Sequence, residues 1–305
     1  MLLFFLLTFS YLNSIVIIVH GTFSHNEDWH RLGGDFYEEL QKQAQEIGHS
    51  VKTFLWSGNL SDRARIDAAI ELAKLIIHYE DEEIIVVGHS HGGNVINFAS
   101  RLLFDPIEYA MNEEEANTHF MENFFNELDM KKSFTSDDCL SDENEDKDGL
   151  AEYALDAWKE VQKEKNMCDC RSTCSIDLNE ETDDKKNIYK IKKAYLLATP
   201  VDVMNYAPDM QTIEHVCNLY STRDRVQTLV GLYDRKYPLN NRLTNMEVHI
   251  KGIGSPSHEQ MHHSIIAKDL LNLPQNDSDY GKNLMVLFWG ESLCFIRKDT
   301  TDHES

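Results

Sequence analysis

The chain has 305 residues, with 29 Lys plus Arg against 52 Asp plus Glu, a formal net charge of −23 and 42% hydrophobic residues. That apolar fraction supports a sizeable core and excludes a disordered or collagen-like chain. The scarcity of clustered Lys and Arg excludes nucleic acid as the expected partner and disfavours anionic membrane surfaces.

Charge divides the chain unevenly. Residues 105–187 hold 25 acidic and 9 basic side chains, a net of −16, whereas the other 222 residues hold 27 and 20, a net of −7. The segment 105–187 is therefore expected to be an acidic insertion in an ordinary, mildly acidic core made of residues 15–104 and 188–274. Residues 275–305 carry no pattern that assigns them an element and are read as a C-terminal tail.

Residues 1–14 are nearly all apolar. They are a candidate signal or membrane anchor, and membrane contact is expected through them alone; otherwise the chain is expected to be cytoplasmic. Ile15 to Val19 is short and β-branched, and it ends at His20-Gly21, which predicts a buried strand. Asp35 to Ile47 has helical spacing and stops at Gly48. Val51 to Trp56 reads as a second strand. A long helix follows over Asp62 to Tyr79, with Ser61 as N-cap.

Glu83 to Val87 is the third predicted strand, and its unbroken apolar run implies burial on both faces. It leads into Gly88-His89-Ser90-His91-Gly92-Gly93 and then a helical pattern from Asn94 to Leu103. Beyond the acidic segment come strands at Ile191 to Ala198, His215 to Tyr220 and Met246 to Ile250, and a helix at Ser264 to Leu271. Strands alternating with helices predict an α/β fold with a mostly parallel sheet flanked by helices, whose chemistry lies at the carboxyl ends of the strands.

Those ends carry a consistent set of residues. Gly88-x-Ser90-x-Gly92 between a strand and a helix is a nucleophile-elbow pattern, in which small neighbours let strand and helix approach while the serine hydroxyl is held exposed. The alternative is a glycine-rich turn with a capping serine. His20-Gly21-Thr22-Phe23 follows the first strand, where a second oxyanion donor is needed. The N–H of His91 and that of Thr22, or else Phe23, meet this requirement.

The segments VIIVHGTFSHNEDW, GGDFYEEL, FLWSGNLSDRAR, VVGHSHGGNV, LLATPVD and YSTRDRVQ occur in one order. Together they resemble the α/β-hydrolase superfamily, in its lipase- or esterase-like branch, over most of residues 15–104 and 190–262. The resemblance implies a nucleophile, an acid and a histidine in that chain order. The nucleophile is then Ser90 and the acid Asp224 in the loop after Tyr220, with Asp202 after the preceding strand as the alternative. The base is His258 on a Gly/Ser/Pro loop, with His262 as the alternative. His25, His30 and His89 are expected to be wall or structural groups.

The implied activity is hydrolysis of a carboxylic ester or lipid-like acyl substrate through an acyl-enzyme on Ser90. A catalytically silent binding protein of the same fold, and an acyltransferase using the same groups, are the alternatives. No cofactor is expected. The insertion is in the position of a lid, with helical patterns at Asn117 to Met130 and Leu150 to Lys165, and aromatic residues such as Phe120, Phe124, Phe125 and Trp158 could either line an acyl site or dock the insertion on the body. Asn144, Asp146, Asp148 and Gly149 mimic half a calcium loop, but Leu155 stands where the bidentate Glu is required, so no metal is expected. Cys139, Cys168, Cys170 and Cys174 lack paired C-x-x-C spacing and read as incidental thiols, with a disulfide or metal site as the alternative. Cys217 and Cys294 read as buried thiols.

Overall fold

The computed structural model describes residues 14–79, 82–104, 153–164, 190–202, 206–226, 234–273, 280–289 and, for the backbone, 295–298. One eight-stranded sheet organises them: β1 Ser14–Val19, β2 His49–Phe54, β3 Glu83–His89, β4 Ile191–Leu197, β5 Ile213–Tyr220, β6 Leu243–Ile250, β7 Asn283–Phe288 and β8 Phe295–Lys298. Their order is β2-β1-β3-β4-β5-β6-β7-β8. The first seven are parallel and β8 closes the edge antiparallel, so the class is α/β.

Alternation along each central strand sends successive side chains to opposite faces, and both faces are covered. Ile15, Ile17 and Val19 of β1 join one core with Ile84 and Val86 of β3. Val16 and Ile18 join the other with Ile85 and Val87. Helices α2 (Asp62–His78) and α3 (His91–Leu102) cover the first face, and α1 (Asp35–Glu46) with the one-turn helix Ser264–Ala267 covers the second.

Part of the acidic insertion is described, as a helix over 153–164, here α4. It docks on the α2–α3 face: Ala154, Ala157, Trp158 and Val161 are buried in that core. Gln162 Nε2–H donates to the carbonyls of Leu102 and Phe104 at 2.8 Å, and Lys74 pairs with Glu160 at 2.7 Å. Trp158 is thus a docking residue. Residues 1–13, the helical pattern at 117–130, the calcium-like loop and Cys139, Cys168, Cys170, Cys174 and Cys294 lie outside the described residues. Cys217 is buried, and that burial pushes its thiol up to about 12.

Several predicted boundaries move: β5 and β6 begin at Ile213 and Leu243, ahead of the predicted His215 and Met246, and four further shifts each have a tertiary reason. The second strand pairs residue by residue with β1 from His49 to Phe54, and Trp56 leaves it to donate its indole N–H to the His20 carbonyl at 2.8 Å. The third strand runs on to His89 because Gly88 and His89 pair with Leu196 and Leu197. Helix α3 starts at His91, three residues before the predicted start, since its Gly92-Gly93 turn is required by close packing. The last predicted helix is one turn plus a separate 3-10 turn, Leu270–Asn272. Two strands, β7 and β8, lie within the stretch read as a tail. Among the described residues no helix is long and apolar enough to cross a membrane.

Candidate active site

Ser90 stands between β3 and α3 with φ 54° and ψ −132°, a backbone region that side-chain-bearing residues rarely occupy. Ser90 N–H donates to the Leu197 carbonyl on β4, and Gly93 N–H donates to the Ser90 carbonyl, both at 2.9 Å. These bonds hold the turn in its strained form. The glycines around it are there for space: a Cβ on Gly92 would lie 2.4 Å from the Val19 carbonyl oxygen, and one on Gly21 would lie 2.8 Å from Ser90 Cβ. The turn after β1 is therefore pressed directly against the serine.

That turn is fixed by His20. Its Nδ1–H donates to the Gly21 carbonyl at 2.8 Å while Nε2 accepts from Trp56 N–H at 3.3 Å, which defines a neutral ring. Stacking between His30 and Trp56 completes its surroundings, and burial lowers its pKa to about 4. Phe23 N–H donates to the Gly58 carbonyl at 2.9 Å. Its commitment leaves Thr22 N–H as the donor of this loop that can serve an oxyanion. The hydroxyl of Thr22 in turn meets His91 Nδ1 at 2.8 Å, and burial lowers His91 to about 3, with the nearby Arg65 charge acting in the same direction.

Asp224 and His258 come together: Nδ1 of His258 bonds Oδ2 of the fully buried Asp224 at 2.8 Å. The other carboxylate oxygen accepts from Val226 N–H at 2.9 Å, and the Asp224 carbonyl accepts from Arg235 at 3.0 Å. Asp202 lies after β4, where its carbonyl accepts from Tyr206 N–H at 2.8 Å; the carboxylate on His258 is Asp224's.

The link from His258 to the elbow runs through His89. Its Nε2–H donates to the His258 carbonyl at 3.1 Å and the two rings lie 4.8 Å apart. Burial first, and the His258 charge second, push His89 well below the usual histidine range. His262 stacks on Trp29 at 4.6 Å and meets the edge of His89 at 4.9 Å; burial lowers it to about 4. Among His20, His89, His91, His258 and His262, the one bonded to a carboxylate is His258.

Two contributors lie at the ends of the segments VIIVHGTFSHNEDW and FLWSGNLSDRAR but were given no role from the sequence. Trp29 forms the aromatic floor between His30, His89 and His262. Arg65, buried on α2, donates to Tyr206 Oη at 2.9 Å, to the Leu60 carbonyl at 2.6 Å and to Asp62, locking the loop that faces Thr22 and Phe23. Among the described residues no group of three or more His, Cys, Asp or Glu could hold a metal ion. Compared with known proteins, the chain matches no family model and no curated protein.

Proposed function

We propose that the chain is a serine hydrolase of the α/β-hydrolase fold that cleaves a carboxylic ester or lipid-like acyl substrate. The observation that carries this reading is the Asp224–His258 bond, tied through His89 to the strained turn bearing Ser90. A buried carboxylate on Nδ1 leaves Nε2 of the ring as the proton acceptor.

In the first half-reaction the Ser90 hydroxyl adds to the acyl carbon and passes its proton to His258. Asp224 stabilises the imidazolium, and the N–H groups of Thr22 and His91 receive the developing oxyanion. Collapse expels the alcohol, which takes the proton from His258 and leaves an acyl-Ser90. Water then adds by the same route and releases the acid. In this reading residues 105–187 act as a lid-like insertion, with α4 as the strut that attaches it to the body.

The test is a p-nitrophenyl ester series of increasing chain length, run with fluorophosphonate labelling on wild type and Ser90→Ala. Turnover and labelling that both vanish in Ser90→Ala support the reading. Labelling that persists in Ser90→Ala overturns the nucleophile, and a folded wild type that neither turns over nor labels favours a binding protein of the same fold.

A further inference from the structure

The two expected oxyanion donors belong to different elements, and their separation has to be set by a tertiary contact. Thr22 is on the loop after β1, and His91 begins α3, 69 residues later. A donor is useful only within about 2.7–3.1 Å of the oxyanion, so displacement of either amide by an ångström weakens both.

Most of the bonds that hold the loop run away from Ser90. The ring of His20 bonds Trp56, and Phe23 N–H bonds Gly58, which fasten the loop to the segment after β2. The contact of Gly21 with Ser90 is steric and limits approach without preventing separation. Across the gap, the tie is the 2.8 Å bond between Thr22 Oγ1 and His91 Nδ1, made by the same two residues whose amides are needed. As N1 of α3, His91 has no intrahelical acceptor for its own N–H, which is left for a substrate oxygen.

We propose that the Thr22–His91 side-chain bond is a clasp that sets the spacing of the two oxyanion donors, making both side chains positioning groups. The proposal rests on the serine-hydrolase reading above. It also accounts for a histidine at 91: burial keeps the ring neutral, so it bonds the hydroxyl without adding a cation beside His258. A valine at 22 keeps the shape and the main-chain N–H and loses the tie.

The test compares wild type, Thr22→Val, Thr22→Ser, His91→Leu and the double variant Thr22→Val/His91→Leu on p-nitrophenyl butyrate, with a trifluoromethyl ketone as transition-state analogue. Thr22→Val is expected to lose about 10- to 100-fold in kcat, part of the loss seen when a whole donor is removed, with KM within about twofold. Affinity for the ketone falls in parallel, and Thr22→Ser recovers most of the loss. His91→Leu loses a similar factor, and the double variant loses no more than either single, because one bond is being removed twice. Thermal unfolding of Thr22→Val close to wild type separates positioning from general damage. Full activity in Thr22→Val, with Ser90→Ala inactive, overturns the clasp and leaves the hydrolase reading standing; additive losses in the double variant also overturn it. Ser90→Ala as active as wild type overturns both.

Discussion

Asp224 is fully buried, with one carboxylate oxygen on His258 and the other on the Val226 amide. Replacing it by Asn keeps the size but presents an N–H to Nδ1, which favours the wrong tautomer of His258. The expected result is a fall in kcat of about 10⁴-fold with KM little changed, the size of effect known for this substitution in a serine protease. Steady-state kinetics on a p-nitrophenyl ester check it, and a loss below tenfold would remove Asp224 from the role. His262 supports a different expectation. Burial lowers its folded-state pKa to about 4, below an ordinary value of 6.5, so the unfolded chain takes up the proton first. Stability from keeping this ring neutral is intact above pH 6.5 and is lost as pH falls toward 4. His262→Phe preserves stacking on Trp29 and removes the titration. Urea midpoints at pH 7 and pH 4.5 should show the variant gaining on wild type at the lower pH, and a constant gap between them would contradict this. The turn at Ser90 was legible in the chain because a strand end followed by a glycine-flanked tight turn is a local pattern, whereas Asp224 and His258 came only from the resemblance, with Asp202 and His262 open, and the bond between them joins residues 34 apart. Arg65 was not legible, because its partner Tyr206 stands 141 residues away and nothing in a helical stripe marks a buried arginine.

Close packing explains both how the elbow is built and why its helix was hard to see. Gly92-Gly93 lowers intrinsic helix propensity, which hides the first turn of α3 from any reading of local preference. The same glycines allow α3 to lie against β1 and β4: a Cβ on Gly93 would fall 1.9 Å from Thr199 Oγ1, and one on Gly92 would fall 2.4 Å from a β1 carbonyl oxygen. Gly92→Ala must push helix and strand apart, at about 1–3 kcal/mol. For a domain of this size each kcal/mol is about 2–4 °C in melting temperature, and the same shift displaces the His91 amide. A lowered melting temperature together with lost esterase activity is expected; an unchanged protein would mean that the helix can move freely. A cap gives a smaller effect. Ser61 Oγ accepts from Ala64 N–H at 3.2 Å, and Ser61→Ala should cost about 1 kcal/mol in urea unfolding without touching the chemistry. The carboxyl-terminal strands were missed for a different reason. Leu284 to Phe288 of β7 is an unbroken apolar run like that of the third strand, but it stands beyond the last recognised motif and was not read as an element, and β8 is a four-residue edge strand, too short to set a period.

At the scale of the whole molecule, the −23 charge matters by where it is tethered. The acidic run from Asp137 to Asp148 ends five residues before Tyr153. Tyr153 Oη–H donates to Asp67 and its ring lies 4.6 Å from the Arg63 guanidinium, on the first turns of α2. Those turns follow the loop in which Gly58 bonds Phe23 N–H, so they stand at the carboxyl edge of the sheet beside Ser90. Five residues of chain span at most about 17 Å. Over such distances screening at physiological ionic strength is strong but incomplete. Like charge at the mouth of a cleft lowers the local concentration of anionic ligands. Removing residues 132–148 takes out 7 acidic and 2 basic side chains, a net change of +5. The expected outcome is a rise in kcat/KM for an anionic hemisuccinate ester, by about two- to tenfold at 20 mM salt, and little change for a neutral ester of the same chain length. The difference should shrink at 0.5 M salt. Equal effects on both esters at low salt would show that the acidic run does not act on the site through its charge.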